Sequence, residues 1–376
     1  MTQLADVIAA SADAATEFID ERGAMTAGHN GPYHDFETPV RNTAHWLVTF
    51  CYCYEVTGEE RFRNAAEQLY SYLQTPEVRP ESKTYECRRI QGKDRCNGLI
   101  GQAWAIEGLV AVAETLGDET AHELAAEIFL HHPYNEELSL WQRVEVDGKL
   151  LGLDRTFNHQ LWFAAAGGLI ANSDDAPEVD RQVRGFLDSL GRYLNTYDSG
   201  LIRHPLCSKV SLGTNVSYLT DTVKRGIVRN NVLHYLRPPS RKQALKNKAI
   251  GYHTFNLYGF SLLAAAYPDH SAWELNSISK ALDFATGEVF ERKVEQNDYS
   301  YPYNPPGFEL TYALETFSRG TRDERRTWVE RQLDHSFDGE KMLMVNGTED
   351  EATHAARLYE ATRLENYTLD DSALSS

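Results

Sequence analysis

The segment TAHWLVTFCYCYEV (residues 43–56) is followed by TGEE (57–60) and then by RFRNAAEQLYSYL (61–73). Both long stretches place apolar residues at helical spacing. The glycine and acidic residues between them combine the usual end of one helix with the usual start of the next. The segment therefore predicts a helical hairpin, which can bury its apolar face only against neighbouring units.

The same unit of helix, short turn and helix recurs along the chain, roughly every 50 to 60 residues. It is readable at 99–116 with 120–130 and at 308–318 with 324–333, and further helices are predicted over the first 23 residues and at 157–171, 178–196, 221–236, 252–266, 272–286 and 350–364. The only strand candidates, 142–146 and 149–153, form a hairpin around Asp147-Gly148. We therefore predict an all-α fold of about a dozen helices, as a single (α/α)6-type toroid domain over residues 1–367 with a flexible tail at 368–376.

The more apolar and aromatic helices should form the inner ring of this toroid, because every inner helix is covered on all sides. These are Thr43–Val56, Leu99–Leu116, Phe157–Ala171 and Tyr252–Ala266. The best candidate for a domain boundary is Arg237–Lys242, which contains two prolines. Similar helices flank it on both sides, so the chain reads as one domain.

Charge limits the classes of partner. The chain carries 55 acidic against 37 basic residues, a formal charge of −18. Nucleic acid and anionic lipid surfaces are gripped through basic faces, so the overall charge disfavours a non-specific grip on either. We predict no nucleic acid as a partner, and expect partners to be neutral or to be gripped locally. Only 11 of the basic residues are lysines, and an acidic, lysine-poor surface is a bias associated with high salt as well as with plain solubility.

The N-terminus lacks the basic and continuous apolar regions of a signal peptide, and no apolar run of about 18 residues suggests a membrane span. We therefore expect a cytoplasmic protein in which the sequons at Asn215, Asn346 and Asn366 are chance matches. The five cysteines lack the paired spacing of a zinc site, and Cys51 and Cys53 lie in an apolar helix as buried thiols. No glycine-rich phosphate loop is present, and we predict no cofactor.

Polar and aromatic residues crowd just before, or at the start of, the predicted inner helices, where a toroid faces its central funnel. In residues 30–46 the candidates are Tyr33, His34, Asp35, Glu37, Arg41, His45 and Trp46. The alternative is that Asp35 and Glu37 only neutralise Arg41. Metal binding by His34, Asp35 and His45 matches no standard ligand spacing, so we predict no metal.

A second cluster, DRTFNHQLWF (154–163), leads into the small-residue run AAAGG (164–168). Its candidates are Asp154, Arg155, Asn158, His159, Gln160 and Trp162. Asn, His and Gln are costly to bury in an apolar helix unless they line a polar cavity. The alternative is that Asn158 and His159 act as a helix cap and a buried hydrogen-bonding group.

Later helices are preceded by similar residues. The candidates are Arg203, His204, Tyr252, His253, Asn256, Tyr258, Tyr301, Tyr303 and Asn304. A tyrosine ring can stack on a pyranose while its hydroxyl bonds the sugar. Aromatic stripes are more often core, but their recurrence favours a sugar site, and we expect the loops that start at Asn30, Asp154, Gly251 and Tyr299 to converge at one mouth.

The run Asn158-His159-Gln160-Leu161-Trp162, with Tyr252-His253 and Tyr258 in a later helix, resembles the Asn-His and Tyr pattern of the (α/α) toroid alginate and heparinoid lyases. Most of the chain, above all residues 30–46, also resembles a haloarchaeal glycosylation-cluster family associated with assembly of an N-linked glycan that contains hexuronic acids. The resemblances imply a hexuronate-containing glycan or activated sugar as substrate in surface-layer glycoprotein assembly, with other glycosylation enzymes as partners.

Both resemblances imply proton removal at C5 of a uronate, which requires a neutralised carboxylate and a base against the proton. Asn158 with Arg155 or Arg203 would hold the carboxylate, and His159 is the natural base near neutral pH. The acid on the opposite ring face would be Tyr252, Tyr258 or Tyr303. Reprotonation from that face gives C5 epimerisation, whereas loss of the 4-substituent gives β-elimination. Glycan assembly favours the isomerase.

Two alternatives belong to other classes. Hydrolysis by paired carboxylates, as in toroid glycosidases and unsaturated-glucuronyl hydrolases, would use Asp35, Glu37 or Asp154. A non-catalytic glycan-binding assembly factor would keep the aromatic platforms and lose the base. The fold alone does not choose among these functions.

Overall fold

A computed structural model describes residues 2–172, 176–208 and 224–374, and within these ranges the chain forms fifteen α-helices and seven short strands. The helices are α1 (Leu4–Ala15), α2 (Val40–Thr57), α3 (Glu60–Leu73), α4 (Gly98–Leu116), α5 (Glu119–Leu130), α6 (Phe157–Ala171), α7 (Pro177–Tyr193), α8 (Arg225–Leu236), α9 (Pro239–Gly251), α10 (His253–Ala266), α11 (Asn276–Ala285), α12 (Glu288–Val294), α13 (Pro306–Thr316), α14 (Arg322–Ser336) and α15 (Glu351–Ala356). The strands are β1 (Thr2–Gln3), β2 (Tyr134–Asn135), β3 (Leu140–Val144), β4 (Leu150–Leu153), β5 (Phe337–Asp338), β6 (Leu343–Met344) and β7 (Thr368–Leu369).

Six segments close into an inner ring. In order around the ring they are α2, α4, α6, α10, α13 and the 3₁₀ helix Arg357–Arg363 that continues α15 and packs back on α2. The helices α3, α5, α7 and α14 each pack outside the inner helix that precedes them in the chain. The predicted (α/α)6 toroid is therefore confirmed, and the four predicted inner helices all belong to the ring.

Sequence composition explains which helices lie inside. The outer helix α3 buries only one apolar face, whereas α4 is buried nearly all round. In the described ranges, α4 is the one helix long and apolar enough to cross a membrane, with a mean hydropathy of 1.3 in its most apolar window. That window is 72% buried inside the protein, as expected for a helix at the centre of a toroid.

Two helices, α9 and α12, are not indicated by the periodicity. The proline-rich stretch Arg237–Lys242 is where α9 begins, because a proline is well suited to the first helical position. The helix predicted at 221–236 begins at Arg225 in the described part of the chain, while residues 221–223 and the sequon Asn215 lie outside it.

Short strands tie the ends of the chain and one inner loop. The predicted hairpin is present as β3 and β4, with β2 as a third strand. At the termini β1 pairs antiparallel with β7, so that Gln3 lies opposite Thr368. Residues 368–374, which the sequence assigns to a tail, thus contact the helical body, and Leu369 is fully buried.

All five cysteines are free thiols, and Cys51 and Cys53 are buried in α2 as predicted. Burial raises the pKa of each of these two thiols to about 12, so both stay protonated and inert at neutral pH.

Candidate functional site

The end of the ring at which the inner segments begin encloses a cavity of about 290 Å³. It is lined by Asn30, Tyr33, Asp35, Arg88, Lys93, Asn97, Ile100, Trp104, Thr156, Asn158, His159, His204, Lys248, Tyr252, Phe255, Tyr303, Asn304 and Arg357. The loops that start at Asn30, Asp154, Gly251 and Tyr299 all contribute, so their expected convergence is confirmed. The volume is close to the lower end of the usual range for small-molecule sites.

A histidine at the wall of this cavity is paired with a carboxylate behind it. His159, in the first turn of α6, hydrogen-bonds through Nδ1 to Oδ2 of Asp154 at 2.8 Å. The histidine side chain is 25% exposed and that of the aspartate 7%. Nε2 of His159 has no partner among the described residues, so the ring can accept a proton from a molecule in the cavity while Asp154 stabilises the charged form.

The backbone of the neighbouring inner helix holds this pair in place. Asp154 also accepts hydrogen bonds from the amides of Leu99 and Thr156, and a carboxylate is favoured at the N-terminus of a helix such as α4. Burial would raise the pKa of Asp154, but the charge and hydrogen bond of His159, with Arg143 and the Leu99 amide, outweigh it and hold the pKa below its usual range. The aspartate therefore remains ionised.

Gly98 permits this close approach. Its backbone is left-handed, with φ of +63°, and a Cβ there would lie 2.5 Å from Oδ2 of Asp154 and 3.1 Å from Nδ1 of His159. Any larger residue would clash with the pair as well as strain the backbone.

Among the described residues, Asp35 is the one carboxylate that lines the cavity, and its charge is neutralised by Lys93 and Arg88. Oδ1 of Asp35 accepts a hydrogen bond from Nζ of Lys93 at 2.6 Å, and Arg88 approaches Oδ2 to 3.8 Å. Both cations come from the loop between α3 and α4, which also pairs Arg88 with Asp94 at 2.8 Å. Asp35 is thus part of a network of fixed charges with these cations.

Lys248 is a cation of a different kind. Its Nζ lies 4.6 Å from the ring centroid of Tyr33, 5.5 Å from that of Tyr252 and 5.8 Å from that of Tyr299, and it forms no ion pair with any described carboxylate. Burial, with the charge of Lys93, lowers the pKa of Lys248 to about 8. At neutral pH it is therefore a charged group held by aromatic faces, without an acidic partner from the protein.

Two further polar groups in the cavity lack protein partners. Oδ1 of Asn158 and Nδ1 of His204 are buried without a hydrogen bond. The His204 ring lies 5.0 Å from that of Tyr252, whose hydroxyl is 2.8 Å from the hydroxyl of Tyr33. Burial, with the charges of Lys248 and His159, holds the pKa of His204 well below its usual range, so this second histidine is neutral.

Arg357 connects the cavity with a buried charge network near the ring axis. Its guanidinium is 2.8 Å from Glu309 and 2.6 Å from Glu360, and all three side chains are at most 1% exposed. Burial raises the pKa of Glu309 to about 7 despite the charge of Arg357. The network is completed by Arg363, which pairs with the buried Glu107 at 2.7 Å. Arg357 is fixed by these carboxylates and by Oδ1 of Asn304.

Eight of the residues predicted for the site line the cavity: Tyr33, Asp35, Asn158, His159, His204, Tyr252, Tyr303 and Asn304. Asp154 stands directly behind His159. The hydroxyl of Tyr303 donates to Oδ1 of Asn30 at 2.6 Å, and Gly31 must lack a side chain because a Cβ there would lie 2.2 Å from the Tyr303 ring.

Four predicted residues, two arginines, a histidine and a tryptophan, lie away from the cavity. Arg155 is exposed outside the cavity, and the guanidinium of Arg203 stacks on Tyr197 at 4.1 Å, so the structure puts neither arginine where it could hold a substrate carboxylate in this cavity. His34 is 65% exposed on the opposite side of its loop. Trp46 borders a separate apolar groove.

Another group is buried and structural. Tyr258, a predicted acid, is fully buried and bonds through its hydroxyl to the Glu360 carbonyl and Arg363, so it does not reach the cavity. Gln160 hydrogen-bonds both backbone groups of Trp141, and Trp162 donates to the Phe255 carbonyl. His253 bonds the Ala281 carbonyl, and Asn256 donates to the Tyr252 carbonyl. Tyr301 stacks on the ring of His335. These polar side chains serve the helix ends and the core rather than the cavity wall.

The remaining predicted residues form a layer beneath the cavity. Arg41 donates to Glu37 at 3.3 Å and its guanidinium lies 4.1 Å from the Trp104 ring. Of the two carboxylates in the alternative interpretation, Glu37 pairs with Arg41, whereas Asp35 pairs with Lys93. His45 stacks on Tyr359 at 4.2 Å, and burial holds its pKa well below the usual range.

Ten lining residues are not among the predicted candidates: Asn30, Arg88, Lys93, Asn97, Ile100, Trp104, Thr156, Lys248, Phe255 and Arg357. Asn97 carries the same signal as the others, a polar residue directly before an apolar inner helix, and could have been found. Lys248 and Arg357 lie in polar segments whose pattern is that of exposed helices, and no local signal marks them.

The fold and cavity define a helical toroid with a small polar cavity at the end where its inner segments begin. Among solved structures, cellobiose 2-epimerase from Bacillus thermoamylovorans has a TM-score of 0.63 at 11% identity, covering 93% of this chain and 94% of that one. D-mannose isomerase has a TM-score of 0.60 at 13% identity, covering 96% and 95%. An unsaturated glucuronyl hydrolase specific for heparin has a TM-score of 0.60 at 11% identity, covering 96% of each chain.

A relative with high sequence identity narrows the class further. Archaeal glycosylation protein Q of Haloferax volcanii is 53% identical over 368 residues, which cover 98% of this chain and 99% of that protein. No protein-family model matches the sequence. The chain belongs to the family of archaeal glycosylation protein Q.

Proposed function

We propose that this protein is a sugar isomerase of archaeal N-glycan assembly that epimerises a hexuronic acid at C5 by removing the proton at that carbon. The observation that carries the proposal is the Asp154–His159 pair with its free Nε2 in the same cavity as Lys248, a cation without a protein counterion. The named role of the Haloferax relative in glycosylation supports the pathway, and its high identity makes a shared function the simplest expectation.

The positive charges that line the cavity are suited to an anionic sugar. The uronate carboxylate resists formation of a carbanion next to it, so it has to be neutralised before the proton at C5 can leave. Lys248 and Arg357, with the amide of Asn158, would bind that carboxylate in place of the arginines expected from the sequence. Asp35 lies among its own cations and would accept hydrogen bonds from sugar hydroxyls.

The proton steps use His159, whose Nε2 has no partner among the described residues, and Tyr252, whose hydroxyl is bonded to that of Tyr33. Nε2 of His159 takes the C5 proton, and Asp154 stabilises the imidazolium that results. Tyr252 gives its hydroxyl proton to C5 from the opposite face, and the phenolate then regains a proton from solvent while His159 releases its own. Burial raises the pKa of Tyr252 well above its usual value, so its hydroxyl remains protonated and is suited to donate. No cofactor is needed for a proton exchange of this kind.

Hydrolysis by paired carboxylates has less support. Among the described residues, Asp35 is the one carboxylate at the cavity wall. Asp154 is engaged by His159 and Glu37 by Arg41, whereas glycosidases place two carboxyl groups on either side of the bond they cleave.

Asp35→Asn separates these two reactions. For an epimerase, the substitution should weaken sugar binding but keep C5 exchange within about tenfold of wild type, because the base is His159. A hydrolase using Asp35 would instead lose sugar release. Exchange and release are measured on the same glycan by NMR and chromatography, and release that depends on Asp35 would refute the epimerase.

Substrate binding should weaken as the pH rises above about 8, the pKa of Lys248. Above that pH the amine is neutral and no longer attracts a carboxylate, so KM should rise while kcat changes less. Lys248→Met should lower kcat/KM by roughly 10- to 100-fold, the worth of a hydrogen bond to a charged group, and abolish this pH dependence. Lys246→Met, on the same helix but outside the cavity, is the matched control. An unchanged pH profile in Lys248→Met would exclude the assignment.

A further inference from the structure

Although the chain as a whole is acidic, one segment of it is strongly basic. Residues 224–251 contain eight basic side chains and no acidic one, whereas the other 348 residues contain 29 basic and 55 acidic ones. The eight are Lys224, Arg225, Arg229, Arg237, Arg241, Lys242, Lys246 and Lys248. This segment forms α8 and α9 and the turn between them.

The arginines of this segment also differ in their partners. Surface arginines elsewhere, such as Arg22, Arg181 and Arg331, are paired with carboxylates at 2.6 to 2.8 Å. In the ranges that the structure describes, Arg225, Arg229, Arg237 and Arg241 form no ion pair. In an otherwise acidic protein, unpaired arginines concentrated in one place form a surface that attracts anions.

One side of α8 combines these charges with exposed apolar side chains. Arg225, Arg229, Val232 and Leu236 follow one another at intervals of four, three and four residues, so they lie on one face of the helix. Val232 is 48% and Leu236 74% exposed, while Ile227 on the other side is fully buried. We call this surface the basic face: Arg225, Arg229, Val232 and Leu236 of α8, followed along the chain by Arg237 and Arg241.

The helix that carries the basic face packs, through its buried side, on loops of the cavity. Nδ2 of Asn230, on the buried side of α8, donates to the carbonyls of Arg155 and Leu206 at 3.0 and 2.8 Å. These carbonyls belong to the two loops that carry Thr156 and His204 into the cavity. The following helix α9 contributes Lys248 to the same cavity.

We propose that the basic face docks the protein on an anionic lipid surface. Basic side chains next to exposed valine and leucine on one helical face match a headgroup region, where the charges meet lipid phosphates and the apolar side chains enter the acyl boundary. A soluble anion or a nucleic acid would engage the arginines but leave Val232 and Leu236 in water. Docking in this way brings the cavity close to a sugar carried on a lipid. The proposal does not depend on the reaction in the cavity.

Vesicle flotation tests the docking. The protein should float with vesicles of equal parts phosphatidylglycerol and phosphatidylcholine, and not with phosphatidylcholine alone. Arg225→Gln with Arg229→Gln should weaken binding about 25-fold, since each basic side chain near such a surface contributes about fivefold in affinity. Val232→Ser with Leu236→Ser should weaken it roughly tenfold. Arg61→Gln with Arg63→Gln, at exposed ion-paired positions, is the control and should bind like wild type.

All variants are compared at an ionic strength where circular dichroism shows the native helical content, and binding should fall as salt is added. Each outcome decides the question. The proposal is overturned if the wild type fails to float with the anionic vesicles. It is also overturned if both face variants float as well as the wild type. Tight binding to duplex DNA without binding to vesicles would also overturn it, in favour of nucleic acid as the partner.

Discussion

Replacement of His159 by alanine should lower the rate of C5 proton exchange by roughly 10² to 10⁴, the usual contribution of a positioned general base. The effect should fall on kcat rather than on KM, because His159 acts on the proton and Lys248 on the carboxylate. The ring is held by its 2.8 Å hydrogen bond to Asp154. Exchange is measured by NMR as replacement of the C5 proton by deuterium from solvent.

Two companion variants make this result specific. Asp154→Asn keeps the size of the side chain but removes the charge that stabilises the imidazolium, and it should cost about tenfold or more. His34→Ala removes a histidine that is 65% exposed and faces away from the cavity, so its exchange rate should match wild type. If the His159→Ala protein exchanges the C5 proton as fast as the His34→Ala protein, His159 is not the general base.

Arg357→Met should destabilise the protein by about 3 to 5 kcal/mol, the usual cost of breaking a buried ion pair from one side. The substitution leaves Glu309 and Glu360 without the cation that lies 2.8 and 2.6 Å from them. Because burial already raises the pKa of Glu309 to about 7, loss of the arginine should favour proton uptake by these carboxyl groups. Denaturant unfolding followed by circular dichroism measures the change in the free energy of unfolding.

The matched control is Arg326→Met on the outer helix α14. Arg326 is 41% exposed and lies 3.4 Å from Asp323 and 3.6 Å from Glu330, so its loss should cost less than about 1 kcal/mol. Equal costs for the two variants would show that the buried network contributes no more to stability than a surface pair.

Most of the fold could be predicted from the sequence because helical hairpins leave local signals. Gly58 and Gly117 end α2 and α4 in left-handed conformations, and each is followed at once by the next helix. The errors have local causes as well. The two adjacent prolines Pro238 and Pro239 suggest a break in the chain, although Pro239 is the first residue of α9. The segment after α15 continues as a 3₁₀ helix, whose ring neighbours are set by tertiary packing.

The site was less predictable. The rule that polar residues precede inner helices finds His159, Asn158 and Tyr252, but it also selects His253 and Gln160, which bond backbone groups in the core. Sequence spacing cannot tell a polar side chain that satisfies the backbone from one that lacks a partner. The two cations proposed to bind the substrate carboxylate, Lys248 and Arg357, reach the cavity through closure of the ring, which is a long-range property of the fold.

The measurement that tests C5 proton removal most directly uses the hexuronate-containing glycan from cells that lack the protein, incubated with the purified wild-type protein in D₂O. The account predicts deuterium at C5 of the hexuronic acid, with inversion at that carbon and no change in the length of the glycan. Release of a sugar or formation of an unsaturated product, with C5 of the intact glycan still carrying its original proton, would contradict it.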